Sequence, residues 1–426
     1  MRALKGLAAA LLAAGMGWSV ALGAAAQPVP NALPLPLPLP LPLPLPDAAQ
    51  VRRVLADAPA LAAAAQGLEA ERAYGRQLRV GPHEWVLGGS ATRHRYGAEP
   101  AQREWDIGVQ RGWRAAAKAQ AASGLGEARV DAAQSAWRLA WREMSRTLLE
   151  RHVAWLQARE SAAVWQAQVA LLQRQAEVVQ RRRRLGDAAE LEQLQADAAL
   201  FQAQAQWASA QGRADAQRAA LRRQFPGLDV VDAPLPPPAA PVPVDVGQWL
   251  QASPELEAAR QEALVAQAQA RVESAERRAD PVLGARVGAG PAPGERIVGV
   301  SLSFPLGGAA REAAAQSAAA RALAAQARHQ DAQRRLEAEA GLRLAERELA
   351  WAGWQRQDEA ARRLERSAQG SARGYELGEG GLADVLSARR LANEQRLAAT
   401  LAAVEAWGAA WRVELEAGGL WAAGEP

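Results

Sequence analysis

The sequence predicts a mostly α-helical protein with a small β-structured part, built from two copies of one structural unit. Alanine, glutamine and arginine are abundant and aromatic residues make up only 5% of the 426 residues, which is typical of long packed helices. Landmarks also recur in the same order at a nearly constant offset, a little under half the chain length. Pro59 recurs as Pro254, Val86 as Val282 and Gly186 as Gly378. This ordered recurrence indicates an internal duplication.

The N-terminal residues predict export. Arg2 and Lys5 precede an apolar stretch from Leu7 to Leu22, and Ala24–Ala26 provides a cleavage site, so we expect residues 1–26 to be a signal peptide. Residues 27–46 form a spacer in which leucine and proline alternate strictly from Leu33 to Pro46, a pattern that favours an extended polyproline II conformation. Cysteine is absent, which excludes disulfides, thiol catalysis and a lipidated cysteine.

The remaining chain divides into two repeats. We expect a first repeat at 47–224, a proline-rich linker at 225–250, a second repeat at 251–416 and a tail at 417–426. Each repeat is predicted to contain a short helix, a β-hairpin, a long helix and a return helix. In order, these elements are expected at Ala48–Arg79, about 83–113, Arg114–Arg184 and Ala188–Gln224, and then at Pro254–Arg278, about 281–306, Ala309–Arg373 and Leu382–Glu416.

The hairpins carry apolar residues at every second position, the period of a strand with one apolar face. Strands of about ten residues suit a tilted crossing of a membrane, although a surface hairpin on a soluble domain is the alternative. Four strands do not close a membrane barrel, so a membrane role requires several copies of the chain. Aromatic residues at these positions also suit an interfacial girdle. The candidate membrane residues are Trp85, Trp105, Ile107, Val109, Trp113, Leu283, Val287, Val298, Val300, Leu302 and Phe304.

Two turns connect the predicted long and return helices. In the second turn, at 375–386, Gly378, Gly380 and Gly381 interrupt the helical periodicity. A weaker copy at 185–194 contains Gly186 and Glu190. In the first long helix, apolar residues from Trp141 to Val179 step by three and four, which predicts a packed coiled-coil seam that includes its tryptophans.

Several function classes are disfavoured. The net charge is only +4, and the basic run Arg181–Arg184 ends a helical pattern, so we interpret it as a solvated helix end and expect no nucleic-acid partner. The four histidines lack helical-spacing partners, and the glycine-rich turns do not lie in a βαβ unit. We therefore predict no catalytic, cofactor or metal site, and no enzyme activity.

The order of these features resembles the TolC family of outer-membrane efflux proteins. The resemblance rests on VGVSLSFPLGGAAR at Val298–Arg311, YELGEGGLADVLSA at Tyr375–Ala388, SPELEAAR at Ser253–Arg260 and APALAAA at Ala58–Ala64. It implies a homotrimer whose strands close a twelve-stranded β-barrel in outer-membrane lipid, above a periplasmic α-barrel tunnel. It also implies a passive duct in a tripartite efflux or secretion system, engaged by a periplasmic adaptor and an inner-membrane pump. The hairpin segment Arg93–Arg95 resembles the heavy-metal efflux branch of the family. No recognisable site in the sequence identifies the substrate.

The resemblance also assigns candidate tip residues. Tyr375 and Gly378 match the family's Y-x-x-G, and Asp384 matches an acid that rings the closed end of the tunnel. Alternatively, Asp384 is an ordinary acid at a helix start, favoured by the helix dipole. Two departures are Ser387, which replaces a second ring acid, and Glu379–Gly380, which replaces a tip arginine. Alternative functions are a soluble periplasmic coiled-coil adaptor, which needs one hairpin and β-rich domains, or a structural helical protein without a pore.

Overall fold

A computed structural model describes residues 45–424, except for 96, 98–100, 231 and 293. The expected signal peptide and nearly all of the leucine–proline spacer lie outside the described residues. Within the described part, the chain forms eight helices and four strands. They are α1 (Ala48–Ala56), α2 (Pro59–Val80), β1 (Val86–His94), β2 (Gln102–Gly112), α3 (Ala116–Arg184), α4 (Glu190–Gln224), α5 (Val246–Gln251), α6 (Pro254–Glu276), β3 (Val282–Ala289), β4 (Arg296–Ser303), α7 (Ala309–Glu376) and α8 (Leu382–Glu416).

The duplication is visible in the element order, but each repeat begins with two helices rather than one. The single helix expected at Ala48–Arg79 is wrong because it breaks before Pro59. Proline disfavours a helical conformation in the preceding residue and can start a helix, and Ala58 is accordingly extended. The same break precedes Pro254, where Ser253 caps α6. The short helix α5 therefore occupies the end of the segment expected to be only a linker.

The long helices dominate the structure. α3 and α7 contain 69 and 68 residues, which corresponds to about 100 Å each. In the first repeat, α2 and α4 both pack on α3, and in the second, α6 and α8 pack on α7. α3 also contacts α6 and α8, so it joins the two repeats. Among the described residues, no helix combines the length and apolarity needed to span a membrane.

A tryptophan-rich core lies where α1, α3, α8, the linker and the C-terminal tail meet. Trp141, Trp155 and Trp411 are buried in it, and the indole N–H of Trp141 donates to the backbone oxygen of Trp421 at 2.9 Å. The predicted packing role of Trp141 and Trp155 is confirmed. His152 of α3 lies in the same core, where it is fully buried against Trp155 and Trp411.

The four strands form one antiparallel sheet in the order β1-β2-β3-β4. Residues that pair across neighbouring strands share a face, so the register assigns every strand residue to one side. One face, here called the apolar face, is exposed at every position except Ala289. It carries Leu87, Trp105, Ile107, Val109, Leu283, Val287, Val298, Val300 and Leu302. The opposite, polar face carries Ser90, Glu104, Asp106, Arg286, Ser301 and several glycines.

The predicted alternation is thus confirmed for eight candidate residues within the strands. Three others are misplaced, because Trp85 immediately precedes β1, Trp113 follows β2 and Phe304 follows β4. All three lie at the end of the sheet that joins the helices. Exposure also alternates from Gln102 to Val109 of β2, where the residues of the polar face are the more covered ones.

Polar contacts connect the sheet to the helices. Arg114 donates to the backbone oxygen of Leu78 at 2.7 Å, and Arg311 donates to that of Glu276 at 2.9 Å. In each repeat, an arginine near the start of the long helix therefore donates a hydrogen bond to a backbone carbonyl near the end of the preceding short helix. The buried amine of Lys118 lies 3.0 Å from Asp280, whose other oxygen lies 2.8 Å from His83. This contact joins the two repeats below the sheet.

α2 and α3 approach closely at Gly75 and Gly126. A Cβ atom on Gly126 would lie only 3.0 Å from the Cα atom of Gly75. We predict that Gly126→Val lowers the free energy of unfolding by about 1–3 kcal/mol, because overpacking forces the helices apart. The measurement is chemical unfolding of the purified protein, with Gly124→Ala as the control because no atom lies within 4 Å of that position. Equal stability of the Gly126 variant and wild type would contradict this contact.

Candidate functional site at the helical tip

Both inter-helix turns use the same backbone geometry. Gly186 and Gly378 have φ angles of +82° and +79°, in the left-handed region that favours glycine. In the first turn, Gly186 donates to the oxygen of Arg183 and Asp187 to that of Arg182. In the second, the corresponding bonds run from Gly378 to Tyr375 and from Glu379 to Gly374. This pair of bonds is the Schellman motif that ends helices at glycine.

The structure separates the roles of the glycines in the second turn. Gly378 is the only one of the three with a positive φ angle. Gly381 is the residue before α8 and has an extended backbone, while Gly380 has only a distant neighbour, 3.9 Å from the position of an added Cβ. The turn predicted at 375–386 is therefore confirmed, and its backbone requirement falls on Gly378 alone.

Tyr375 joins the two helical hairpins. Its side chain is 5% exposed and belongs to an apolar cluster contributed by α3, α4, α7 and α8. The other buried members of this cluster are Ala176, Val179, Ala196, Leu382 and Val385. The resemblance to the TolC family placed Tyr375 at the tip, and the structure shows that this residue is the centre of a packed cluster.

Arg182 connects this packing centre to the first turn. Its guanidinium carbon lies 4.9 Å from the centre of the Tyr375 ring, a cation–π arrangement. The same guanidinium donates to the carboxylate and the backbone oxygen of Asp187, each at 3.2 Å. One side chain therefore holds the first turn and covers the aromatic residue that precedes the second.

The role of Arg182 corrects the interpretation of the basic run as a solvated helix end. Arg181, Arg183 and Arg184 are exposed, as that interpretation predicted, but Arg182 is half-buried. The helical spacing contained the signal, because Arg182 continues the buried seam three residues after Val179. A charged residue on a packed seam needs a partner, and Tyr375 with Asp187 supplies one.

Burial affects the ionisation of the tyrosine. It raises the pKa of the Tyr375 phenol above its ordinary value of 10.0, the charge of Glu192 raises it further, and Arg182 opposes part of this change. A raised folded-state pKa means that the folded tip favours the neutral phenol. This contribution to stability is complete below pH 10 and is lost as the pH rises through the folded-state pKa.

The candidate polar residues of the tip point away from this cluster. Asp384 lies in the first turn of α8 and is exposed, and Ser387, nearly one turn further, is exposed as well. Glu190 is exposed in the first turn of α4, with a carboxylate oxygen 3.5 Å from Arg183. Asp384 makes none of the ion pairs found among the described residues. The single chain contains no three-fold aperture, so the pore role of Asp384 stays a prediction.

Within the described residues, no three His, Asp or Glu side chains are grouped so that they could hold a metal ion. The histidines occupy separate environments. His152 is inside the tryptophan-rich core, His83 is beside Asp280, and His94 lies 3.5 Å from Glu104 on the sheet.

The whole chain can be compared with known proteins. No protein-family model matches the sequence, and no curated protein sequence matches it. Its structure is similar to that of the outer-membrane channel OprN, with a TM-score of 0.67 and 20% identity over 88% of this chain and 90% of that one. The outer membrane channel CmeC of Campylobacter jejuni gives 0.69 and 13% over 87% and 85%. CusC, described for its transmembrane channel formation, gives 0.69 and 15% over 87% and 91%.

The chain therefore has the fold of the outer-membrane channels. The mostly helical chain with a small β-sheet that the resemblance to the TolC family implied is confirmed, whereas the trimeric twelve-stranded barrel stays a prediction. At these identities the similarity concerns the fold, and residue roles depend on the contacts within this chain.

We predict that Arg182→Lys loosens both turns, because lysine keeps the charge but loses the planar contact with Tyr375 and the paired bonds to Asp187. Hydrogen exchange measured by mass spectrometry should accelerate about fivefold in peptides that contain either turn. Arg181→Lys is the matched control, since that neighbour is exposed and should leave exchange unchanged. Equal exchange in both variants would contradict the linking role of Arg182.

Proposed function

We propose that the protein is the outer-membrane channel of a tripartite efflux or secretion system. One observation carries the proposal: a four-stranded sheet with an exposed, mainly apolar face and unpaired edges at β1 and β4 joins two helical hairpins, whose long helices measure about 100 Å. Three copies would contribute twelve strands and close a barrel without edges. The channel fold of OprN, CmeC and CusC supports this assembly.

The exposure of the apolar face supports a lipid environment. Leu87, Val298 and Val300 are 77%, 80% and 84% exposed, and they are neighbours of further apolar residues on the same face. A contiguous apolar surface of this kind is unfavourable in water and favourable against lipid. Unpaired strand edges are equally unfavourable inside a membrane, and joining β1 of one copy to β4 of the next removes them. The predicted signal peptide is consistent with export to the outer membrane.

The helical hairpins would form the periplasmic tunnel. Each chain contributes two turns, so a trimer has six turns at its lower rim, where a periplasmic adaptor and an inner-membrane pump would engage. The duct itself is passive, and we assign the choice of substrate to the pump. In this assembly Tyr375 and Gly378 shape the tip, and three copies of Asp384 form an acidic ring that favours cations. Ser387 replaces the second acid, so this ring carries less negative charge than a doubly acidic one.

A groove above the tip offers a surface for the adaptor. It lies between α3, α7 and α8 and is lined by both charged and small residues, including Gln168, Arg373 and Asn393. Its wall is rigid because Arg396 of α8 binds Glu365 of α7 through two bonds of 2.5 and 2.6 Å. A mixed polar and small-residue surface suits a helical partner that packs closely and exchanges hydrogen bonds.

The proposal predicts that Gly378→Val reduces transport to the background of cells without the channel, while trimers persist in the outer membrane. A β-branched residue at a positive φ angle costs more than about 1–2 kcal/mol and distorts the turn at which partners engage. The measurement combines cellular accumulation of a compound exported by the neighbouring pump with detection of heat-modifiable trimers in the outer-membrane fraction.

Gly380→Ala is the matched control, because that glycine has no positive φ angle and has space for a Cβ atom. It should transport like wild type. Wild-type transport by the Gly378 variant would contradict the role of the turn. A wild-type protein found as a soluble periplasmic monomer, with no conductance in planar bilayers, would instead favour the adaptor or the structural helical protein.

A further inference from the structure

Three arginines interrupt the apolar face of the sheet at one end. Arg93 of β1 pairs with Arg103 of β2, which places both on the same face as Trp105 and Ile107. Arg296 of β4 pairs with Ala289, which in turn pairs with Trp105. Arg296 is therefore level with Trp105, and Arg93 and Arg103 lie one row further from the helices. We call these three residues the arginine rim.

Within the described part of the chain, no partner explains the arginine rim structurally. All three side chains are exposed, and none takes part in an ion pair among the residues that the structure describes. The arginine at the opposite end of the apolar face is different, because Arg111 stacks on Trp85 and donates to the backbone oxygen of His83. No strand residue on the apolar face is acidic, whereas the polar face mixes Arg286 with Asp106 and Glu104.

Placing like charges opposite one another on neighbouring strands is unfavourable, and Arg93 faces Arg103 directly. A ligand with several negative charges would reverse this cost. Phosphate groups suit the site because arginine binds them through two parallel hydrogen bonds, and each arginine near an anionic membrane surface contributes favourably. The adjoining apolar rows and Trp105 favour a ligand that also carries acyl chains, because such chains would cover them.

The spacing places the rim at headgroup depth. Arg103 and Arg111 lie eight residues apart on β2. At about 3.4 Å per residue and a tilt of about 40°, this separation is on the order of 20 Å along the membrane normal. The side chains of Arg103 and Arg111 extend outward from the two ends of this segment. Their guanidinium groups would therefore lie on either side of an apolar band of about 25 Å.

We propose that Arg93, Arg103 and Arg296 bind the phosphate groups of lipid headgroups in the outer leaflet of the membrane. The site lies at the ends of the strands that connect through the hairpin turns, away from the helices and their partners. This inference rests on the proposed function, because it requires the apolar face to meet lipid. Three rims in a trimer would fix the depth of the barrel and order the lipid around it.

The test compares full-length wild type with the triple variant R93Q/R103Q/R296Q, both purified in detergent. Each is titrated with a lipopolysaccharide that carries its lipid phosphates, with the same lipid after phosphate removal, and with inorganic phosphate. We expect the variant to bind the phosphorylated lipid about a hundredfold more weakly than wild type. We expect both proteins to bind the dephosphorylated lipid equally.

The control variant R286Q/R321Q/R328Q removes the same charge from the polar face of the sheet and from α7, and it should bind like wild type. Unchanged affinity in the rim variant, or an equal loss in the control, would overturn the proposal. Inorganic phosphate that binds the rim as tightly as the lipid would also overturn it, since a free anion would then be the ligand. If the triple variant does not assemble, R296Q alone should weaken binding about fivefold.

Failure of this inference and failure of the proposed function give different results. Wild type that forms no trimer and conducts no ions would contradict the channel itself. A rim variant that forms conducting trimers and binds the phosphorylated lipid like wild type would contradict the arginine rim alone.

Discussion

The unpaired edges of the four-stranded sheet constrain everything else in this protein. Backbone groups on β1 and β4 need hydrogen-bond partners if the apolar face meets lipid, because a membrane interior offers none. A single chain supplies four strands, too few to curl into a closed barrel. Further copies of the same chain can satisfy both edges at once. The proposed three-fold assembly follows from this requirement and leaves the apolar face on the outside of the barrel.

The helices below the sheet differ in length, and they pack so that the long ones are covered. Each long helix is covered by shorter ones, and the repeats reuse the same solutions. Proline starts α2 and α6, an arginine from each long-helix start satisfies a short-helix carbonyl, and a left-handed glycine ends α3 and α7. The contacts that join the two repeats are not duplicated. Lys118, Asp280 and His83 join them below the sheet, and Arg182 with Tyr375 joins them at the tip.

The sequence predicts the structural features that residues close together in the chain determine. The alternation from Trp105 to Val109 and from Val298 to Leu302 identified one face of the sheet, because side chains alternate strictly in strands. Gly186 and Gly378 identified the turns, since few residues other than glycine adopt their backbone angles. The break before Pro59 was missed because apolar residues recur on both sides of it. The helix α5 was missed because its 6 residues directly follow a proline-rich linker and are too few to show a helical period. Arg182 and Lys118 were missed because their partners are distant in sequence, and only the fold brings them together.

Covalent trapping of the sheet edges shows whether β1 of one copy lies beside β4 of the next. The chain contains no cysteine, so one cysteine placed on β1 and one on β4 create the only possible disulfides. Pairs are scanned along Val86–His94 and Arg296–Ser303, and the oxidised outer-membrane protein is denatured and sized. If three chains close the barrel, some pairs will yield covalent species of two and three chains, and the series will end at three because the ring is closed. Absence of cross-links in every pair, or a ladder that extends beyond three chains, would contradict this closure.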